Sequence, residues 1–160
     1  IIKKKETEGF PMEIERKFLI TDPPENYRDY PYLTIEQGYL CTSPVVRVRR
    51  QDDEYILTYK SKGLMSREEY KLTLTKEAYD HLLLKTDGTI LTKKRYLIPV
   101  EGQEGLTIEL DIFEGKFQGL MLAEVEFSSE EQAAAFVPPQ WFGRDVTFTG
   151  EYQNSRLSGL

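Results

Sequence analysis

Charged residues recur in this sequence at a spacing of two, and most of the clusters hold a single sign. Glu13, Glu15 and Lys17 alternate with Ile14, Arg16 and Phe18. Arg47 and Arg49 alternate with Val46 and Val48, Lys60 and Lys62 share a parity with Thr58, and Lys93 and Arg95 lie two apart. Glu109 and Asp111 alternate with Ile108, Leu110 and Ile112, while Glu124 and Glu126 alternate with Ala123, Val125 and Phe127. Glu69 and Lys71 form a mixed pair. Clustered carboxylates are ligands for a hard divalent cation such as Mg²⁺ or Mn²⁺. Clustered Arg and Lys grip phosphate oxygens, Arg through a two-pronged fork. A metal–polyphosphate complex asks for both.

Such residues must be carried by strands, because only a period of two puts alternate positions on one face. Strand-like runs are Glu13–Ile20, Ile35–Cys41, Val45–Arg50, Glu54–Lys62, Glu68–Leu74, Leu91–Pro99, Leu106–Phe113 and Leu120–Phe127. Turn signals such as Ser43-Pro44, Lys62-Gly63 and Glu101-Gly102 punctuate them. Two stretches read as helices. Thr75 caps one running to Leu84, and Ser128 and Ser129 open another that Pro138 and Pro139 end. The fold class is α+β, an antiparallel sheet or barrel with flanking helices.

An amphipathic strand ordinarily turns its charges to water. Like charges facing one another across strands are destabilising, however, so a solvated face mixes its signs. Here the strands are sorted by sign. That sorting makes sense if the charged faces meet around a cavity, with the apolar faces outward and covered by the helices.

At 160 residues the chain has one domain's worth of sequence. The first eleven residues lack alternation and read as a leader or a cloning remnant, with a single domain over 12–160. A net charge of −6 argues against nucleic acid and acidic membranes. No apolar run approaches the roughly 20 residues of a membrane helix, and no secretory signal is visible, so a cytoplasmic protein is expected. The one cysteine, Cys41, permits no internal disulfide and reads as a small buried residue. His81, the only histidine, falls in the first helix without a partner and reads as packing or surface. No phosphate-binding G-x-x-x-x-G-K-[ST] loop occurs.

The run Glu13-Ile14-Glu15-Arg16-Lys17 resembles the ExExK strand of the CYTH superfamily, the triphosphate tunnel metalloenzymes. The match continues in order through Val46-Arg47-Val48-Arg49, Leu57–Gly63, Ser66–Tyr70, Lys93–Tyr96, Glu109–Asp111, Glu124–Phe127 and Tyr152-Gln153-Asn154. The resemblance implies a closed barrel of eight antiparallel strands around a charged tunnel, and Mg²⁺- or Mn²⁺-dependent chemistry on a triphosphate. It implies that Glu13, Glu15, Glu124 and Glu126 hold metal, with Glu109 and Asp111 as further ligands or acids behind them. Arg47, Arg49, Lys60, Lys93 and Arg95 would grip phosphate. Lys17 would contact the reacting phosphate or help activate water, and Glu13 and Glu15 would share in catalysis with it.

The implied partner is a small polyphosphate or nucleoside triphosphate, and the implied assembly a monomer or homodimer. The compact chain with Pro138–Gly143 is similar to small bacterial tripolyphosphatases. Adenylate cyclase chemistry and a non-catalytic polyphosphate- or nucleotide-binding role are the alternatives. Lys71 stands where the family pattern has an acid, and Gly150-Glu151 where it is often basic, which leaves substrate length open.

Overall fold

The computed structural model describes residues 11–160, and the strands among them form one closed sheet. They are β1 (Met12–Leu19), β2 (Tyr32–Thr42), β3 (Val45–Gln51), β4 (Glu54–Lys60), β5 (Ser66–Thr73), β6 (Asp87–Pro99), β7 (Thr107–Phe113) and β8 (Met121–Phe127). Around the barrel the order is β1-β5-β4-β3-β2-β6-β7-β8, every pairing antiparallel. Closure leaves no strand edge unpaired by design. The expected eight-stranded barrel is therefore found. The expected leader lies outside the described residues, apart from Pro11, whose carbonyl accepts from the Glu69 N–H at 3.0 Å.

The barrel is inside out. Phe18, Ile108, Leu110, Ala123, Val125 and Phe127 belong to a buried apolar cluster on the outer face of β1, β7 and β8. That cluster is covered by α2 (Glu130–Ala135) and by Phe136, Trp141 and Phe142 from the segment after it. The Ser129 hydroxyl starts α2 by accepting from the Gln132 N–H at 3.0 Å. Arg16, on the outward parity of β1, donates to the carbonyls of Ala133 and Phe136 at 3.0 Å each, meeting acceptors a helix end leaves unpaired. It also pairs with Asp145 at 2.9 Å. On the other side, α1 (Lys76–Leu83) lies across β2, β3 and β4, with Tyr79 buried against Tyr55 at a ring separation of 5.2 Å. His81 sits exposed on α1.

One end of the barrel is closed. β1 pairs with β5 only through Met12, Glu13 and Ile14. Beyond that, the segment from Gly143 to Val146 takes the place of β5, exchanging backbone hydrogen bonds of 2.8–2.9 Å with Lys17 and Leu19. A second apolar cluster, with Tyr39, Leu91, Phe113, Leu122, Val146 and Leu157, fills the barrel at this end, and α3 (Asn154–Leu157) seals it.

Three sequence-based expectations shift. β2 starts at Tyr32 and β6 at Asp87, earlier than their apolar runs. β4 ends at Lys60, which leaves Lys62 exposed in the following loop instead of beside Lys60. Cys41 is exposed rather than buried, because the β2–β3 register slips between Tyr39 and Cys41 and breaks the alternation there.

Candidate active site

The charges sort by wall. β7, β8, β1 and β5 are neighbours around the barrel and carry Glu109, Glu124, Glu126, Glu13, Glu15 and Glu69 into its interior. β4, β3, β2 and β6 follow one another on the opposite wall and carry Lys60, Arg47, Arg49 and Arg95. Lys17 on β1, and Arg67 and Lys71 on β5, are cations set among the acids. All these side chains line one cavity of about 60 Å³, which also touches Tyr39, Asn154 and Ser155.

The structure thus brings ten of the twelve expected site residues to one cavity: Glu13, Glu15, Lys17, Arg47, Arg49, Lys60, Arg95, Glu109, Glu124 and Glu126. Lys93 and Asp111 lie behind its wall with no exposure at all. Lys93 donates to Asp111 at 2.6 Å and to Asn154 Oδ1 at 3.1 Å. Arg95 lays its fork on the same Asp111 at 2.7 and 2.8 Å. This arrangement braces Arg95 from below.

Several cations and acids of the cavity are already paired. Lys60 Nζ donates to both Glu13 oxygens at 2.9 Å and lies 3.3 Å from Glu69. Arg67 stands 3.5 Å from Glu13, and Lys17 3.2 Å from Glu124. Arg95 reaches Glu109 and Glu124. Two guanidiniums differ. Among the described residues neither Arg47 nor Arg49 has a carboxylate partner. Arg49 donates to Gln37 Oε1 at 2.9 Å and Arg47 to Thr58 Oγ1 at 3.3 Å, while Arg47 Nε is buried with no partner. Burial, with Arg47 and Arg95 as neighbours, pushes Arg49 down to about 9.

The acids show the same split. Burial pushes the Glu13 carboxyl up, but the attraction of Lys60 leads the opposing effects and brings it to about 2. Glu15 has no ion pair among the described residues, and burial next to Glu124 and Glu13 pushes it up to about 8. Burial also raises Glu126, with Glu13 and Glu69 adding repulsion. Near neutral pH the Glu15 carboxyl is therefore held protonated, and a cation placed beside it would favour its ionised form.

This donor set suits a hard cation: carboxyl oxygens gathered along one wall, with no thiol or imidazole among the residues lining the cavity. Among the described residues, no three acidic, histidine or cysteine side chains are already drawn together as a metal site. The ion pairs explain the spread, since Lys60 and Lys17 stand between the acids that a cation would gather.

Arg67, Gln37, Tyr39 and Asn154 were missed in the sequence. Arg67 had a signal, since it shares the parity of Glu69 and Lys71. Asn154 had none beyond its place beside Tyr152, because α3 reaches the barrel by folding back from the C-terminal segment, where Tyr152 O accepts from Lys17 Nζ at 3.2 Å.

A closed barrel with carboxylates on one inner wall and guanidiniums on the other defines a tunnel-type barrel protein. A CYTH domain matches residues 11–159, and the chain belongs to that family. It is 41% identical over 149 residues to the inorganic triphosphatase of Nitrosomonas europaea, covering 91% of this chain and 96% of that one. To the inorganic triphosphatase of Acetivibrio thermocellus it is 35% identical over 150 residues, covering 91% and 92% of the two chains. The crystal structure of the inorganic triphosphatase NE1496 superposes with a TM-score of 0.67 at 38% identity, over 91% of this chain and 93% of that one.

Proposed function

We propose that this chain hydrolyses a terminal phosphoanhydride bond of a small triphosphate, inorganic tripolyphosphate first, with Mg²⁺ or Mn²⁺ as cofactor. One observation carries the reading. Arg47 and Arg49 are buried without carboxylate partners, across a cavity from Glu15, whose carboxyl burial keeps protonated near neutral pH. Buried guanidiniums without a counter-ion, facing an acid forced to keep its proton, are a costly arrangement for stability alone. A phosphate chain that arrives with its divalent cation relieves both.

In this reading Glu13, Glu15, Glu124 and Glu126 hold the cation, with Glu109 beside them. A bound divalent cation neutralises phosphate charge and lowers the pKa of a water ligand. Arg47 and Arg49 fork onto phosphate oxygens, and Arg95 joins them from its bed on Asp111. Lys60 turns from Glu13 to the phosphate. Lys17, fixed between Glu124 and Tyr152 O, holds its ammonium where the charge of the reacting phosphoryl develops. Buried, pre-oriented donors of this kind need no reorganisation as charge moves to the leaving phosphate. No side-chain nucleophile takes part.

The experiment is phosphate release from tripolyphosphate and from ATP, side by side, with Mg²⁺, with Mn²⁺ and with chelator. Orthophosphate from tripolyphosphate, abolished by chelator, is the expected result. Release from neither substrate would refute hydrolysis, and pyrophosphate with cyclic AMP from ATP would replace it with cyclase chemistry.

A further inference from the structure

The tunnel cavity has a neighbour at the sealed end of the barrel. It is a depression of about 240 Å³ between the β2–β3 turn, the β4–β5 loop and α3. Thr42, Ser43, Ser61 and Ser155 give it hydroxyls, and Lys62 and Arg67 give it positive charge. No carboxylate lines it. That is unusual in a chain with a net charge of −6, and the other described depressions all carry acids, from Glu36 and Asp52 on one face to Glu54 on another. Lys62 is exposed and has no ion pair among the described residues. The depression shares Val45, Arg67 and Ser155 with the tunnel cavity, so the two spaces adjoin.

We propose that this depression is a distal anion subsite, which takes the metal-free tail of a linear polyphosphate longer than three phosphoryl groups. The proposal rests on the reading of the tunnel as a polyphosphate site and extends it to chain length. Hydroxyls and two cations suit phosphate oxygens. The lack of carboxylates means that a divalent cation has no protein ligand here, so the subsite binds and does not cleave. No aromatic side chain lines it, so it offers a nucleobase no stacking platform. The tail is phosphate, and Lys62 is the residue that reads its length. The strand end at Lys60 is what places Lys62 at this mouth instead of in the tunnel.

The test compares calorimetric binding of linear tripolyphosphate and tetrapolyphosphate, without divalent cation, to the wild-type protein and to Lys62→Ala. Lys62 is exposed and outside any strand, so its truncation leaves the fold intact. In the wild type, tetrapolyphosphate is expected to bind more tightly than tripolyphosphate. Lys62→Ala is expected to weaken tetrapolyphosphate about five-fold, the upper range for an exposed charge contact, and to leave tripolyphosphate unchanged. A wild type that gives tetrapolyphosphate no advantage overturns the proposal, as does a variant that keeps the whole advantage or loses affinity for both chains equally. Absence of turnover with binding retained would sink the hydrolase reading alone, so the two failures are distinct.

Discussion

Lys60 on β4 and Glu13 on β1 meet across the intervening β5, with Lys60 Nζ 2.9 Å from each carboxylate oxygen. Each is assigned a ligand that the other now occupies: phosphate for Lys60, a divalent cation for Glu13. A cation alone must strip Glu13 from Lys60, and phosphate alone must strip Lys60 from Glu13. Arriving together, they re-partner both groups. Metal and triphosphate therefore bind with positive coupling, and by linkage each raises the other's affinity by the same factor. Calorimetry with a non-hydrolysable triphosphate analogue measures it. Lys60→Ala, which frees Glu13 from its nearest cation, tightens Mn²⁺ binding in the absence of analogue while weakening the analogue. A metal affinity that falls in this variant would show that the pair does not compete with the cation.

Glu15 has no ion pair among the described residues, and burial beside Glu124 and Glu13 holds its carboxyl up at about 8, so it is protonated at neutral pH. Glu15→Gln keeps the shape and the neutral state, and it spares folding the proton uptake that the raised carboxyl requires. The metal-free protein gains thermal stability, by about 2–4 °C for each kcal/mol relieved in a chain of this size, while turnover drops to background. Differential scanning fluorimetry and phosphate release read the two effects. A lowered melting temperature with full activity contradicts the assignment.

Arg49 meets substrate through a fork, not only a charge. Arg49→Lys keeps the charge and loses the paired donors. Both Arg49→Lys and Arg49→Ala should raise KM, by about ten-fold or more for loss of a charged hydrogen bond of about 1.5–3 kcal/mol. A lysine variant with wild-type KM would mean that charge alone suffices there.

Asp111 has two cations on one carboxylate, with no solvent contact. Removing the carboxylate leaves the buried Lys93 without an ion pair among the described residues and takes from Arg95 the acid its fork rests on. Asp111→Asn should destabilise the fold by about 3–5 kcal/mol, the usual penalty for breaking a buried pair from one side. Urea unfolding checks the magnitude. A change below about 1 kcal/mol would mean that the buried layer is not a brace.

Asp145 carries a pH signature. Its burial would raise it, but hydrogen bonds from Thr147 and the Arg16 pair hold it below its usual value of 3.8. A depressed acid contributes stability that is present above its unfolded pKa and lost as pH falls through the folded one. The melting-temperature gap between wild type and Asp145→Asn should be full at about pH 6 and shrink below about pH 4. A gap that stays constant down to about pH 2 would assign the effect to hydrogen bonds independent of charge.

The barrel was legible in the sequence because its polarity is inverted so consistently. Glu13, Glu15 and Lys17, or Arg47 and Arg49, mark one face as plainly as an apolar stripe would. The reading failed where alternation breaks or is absent. The slip at Tyr39–Cys41 reversed the expected burial of Cys41. The apolar run starting at Leu91 misses the beginning of β6 at Asp87, where Gly88 runs at a φ of +69° beneath the Ser158 carbonyl and interrupts the alternation. Lys93 has the parity of a tunnel cation, but parity says which face a residue takes and not how deep it lies along the barrel. The fold-back that brings Asn154 against Lys93 leaves no periodic trace at all.

The inverted polarity also inverts the map of mutational tolerance. In an ordinary small barrel the lumen is the core and the outer helices are ornament. Here Phe18, Leu110 and Val125 share one cluster with Ala133, Phe136, Trp141 and Phe142, so the peripheral segment after β8 is part of the hydrophobic core. Trimming that segment is a core deletion, while polar exchanges along the tunnel wall threaten chemistry first. A library that spares the surface of this protein to protect its fold would be sparing the wrong side of the sheet.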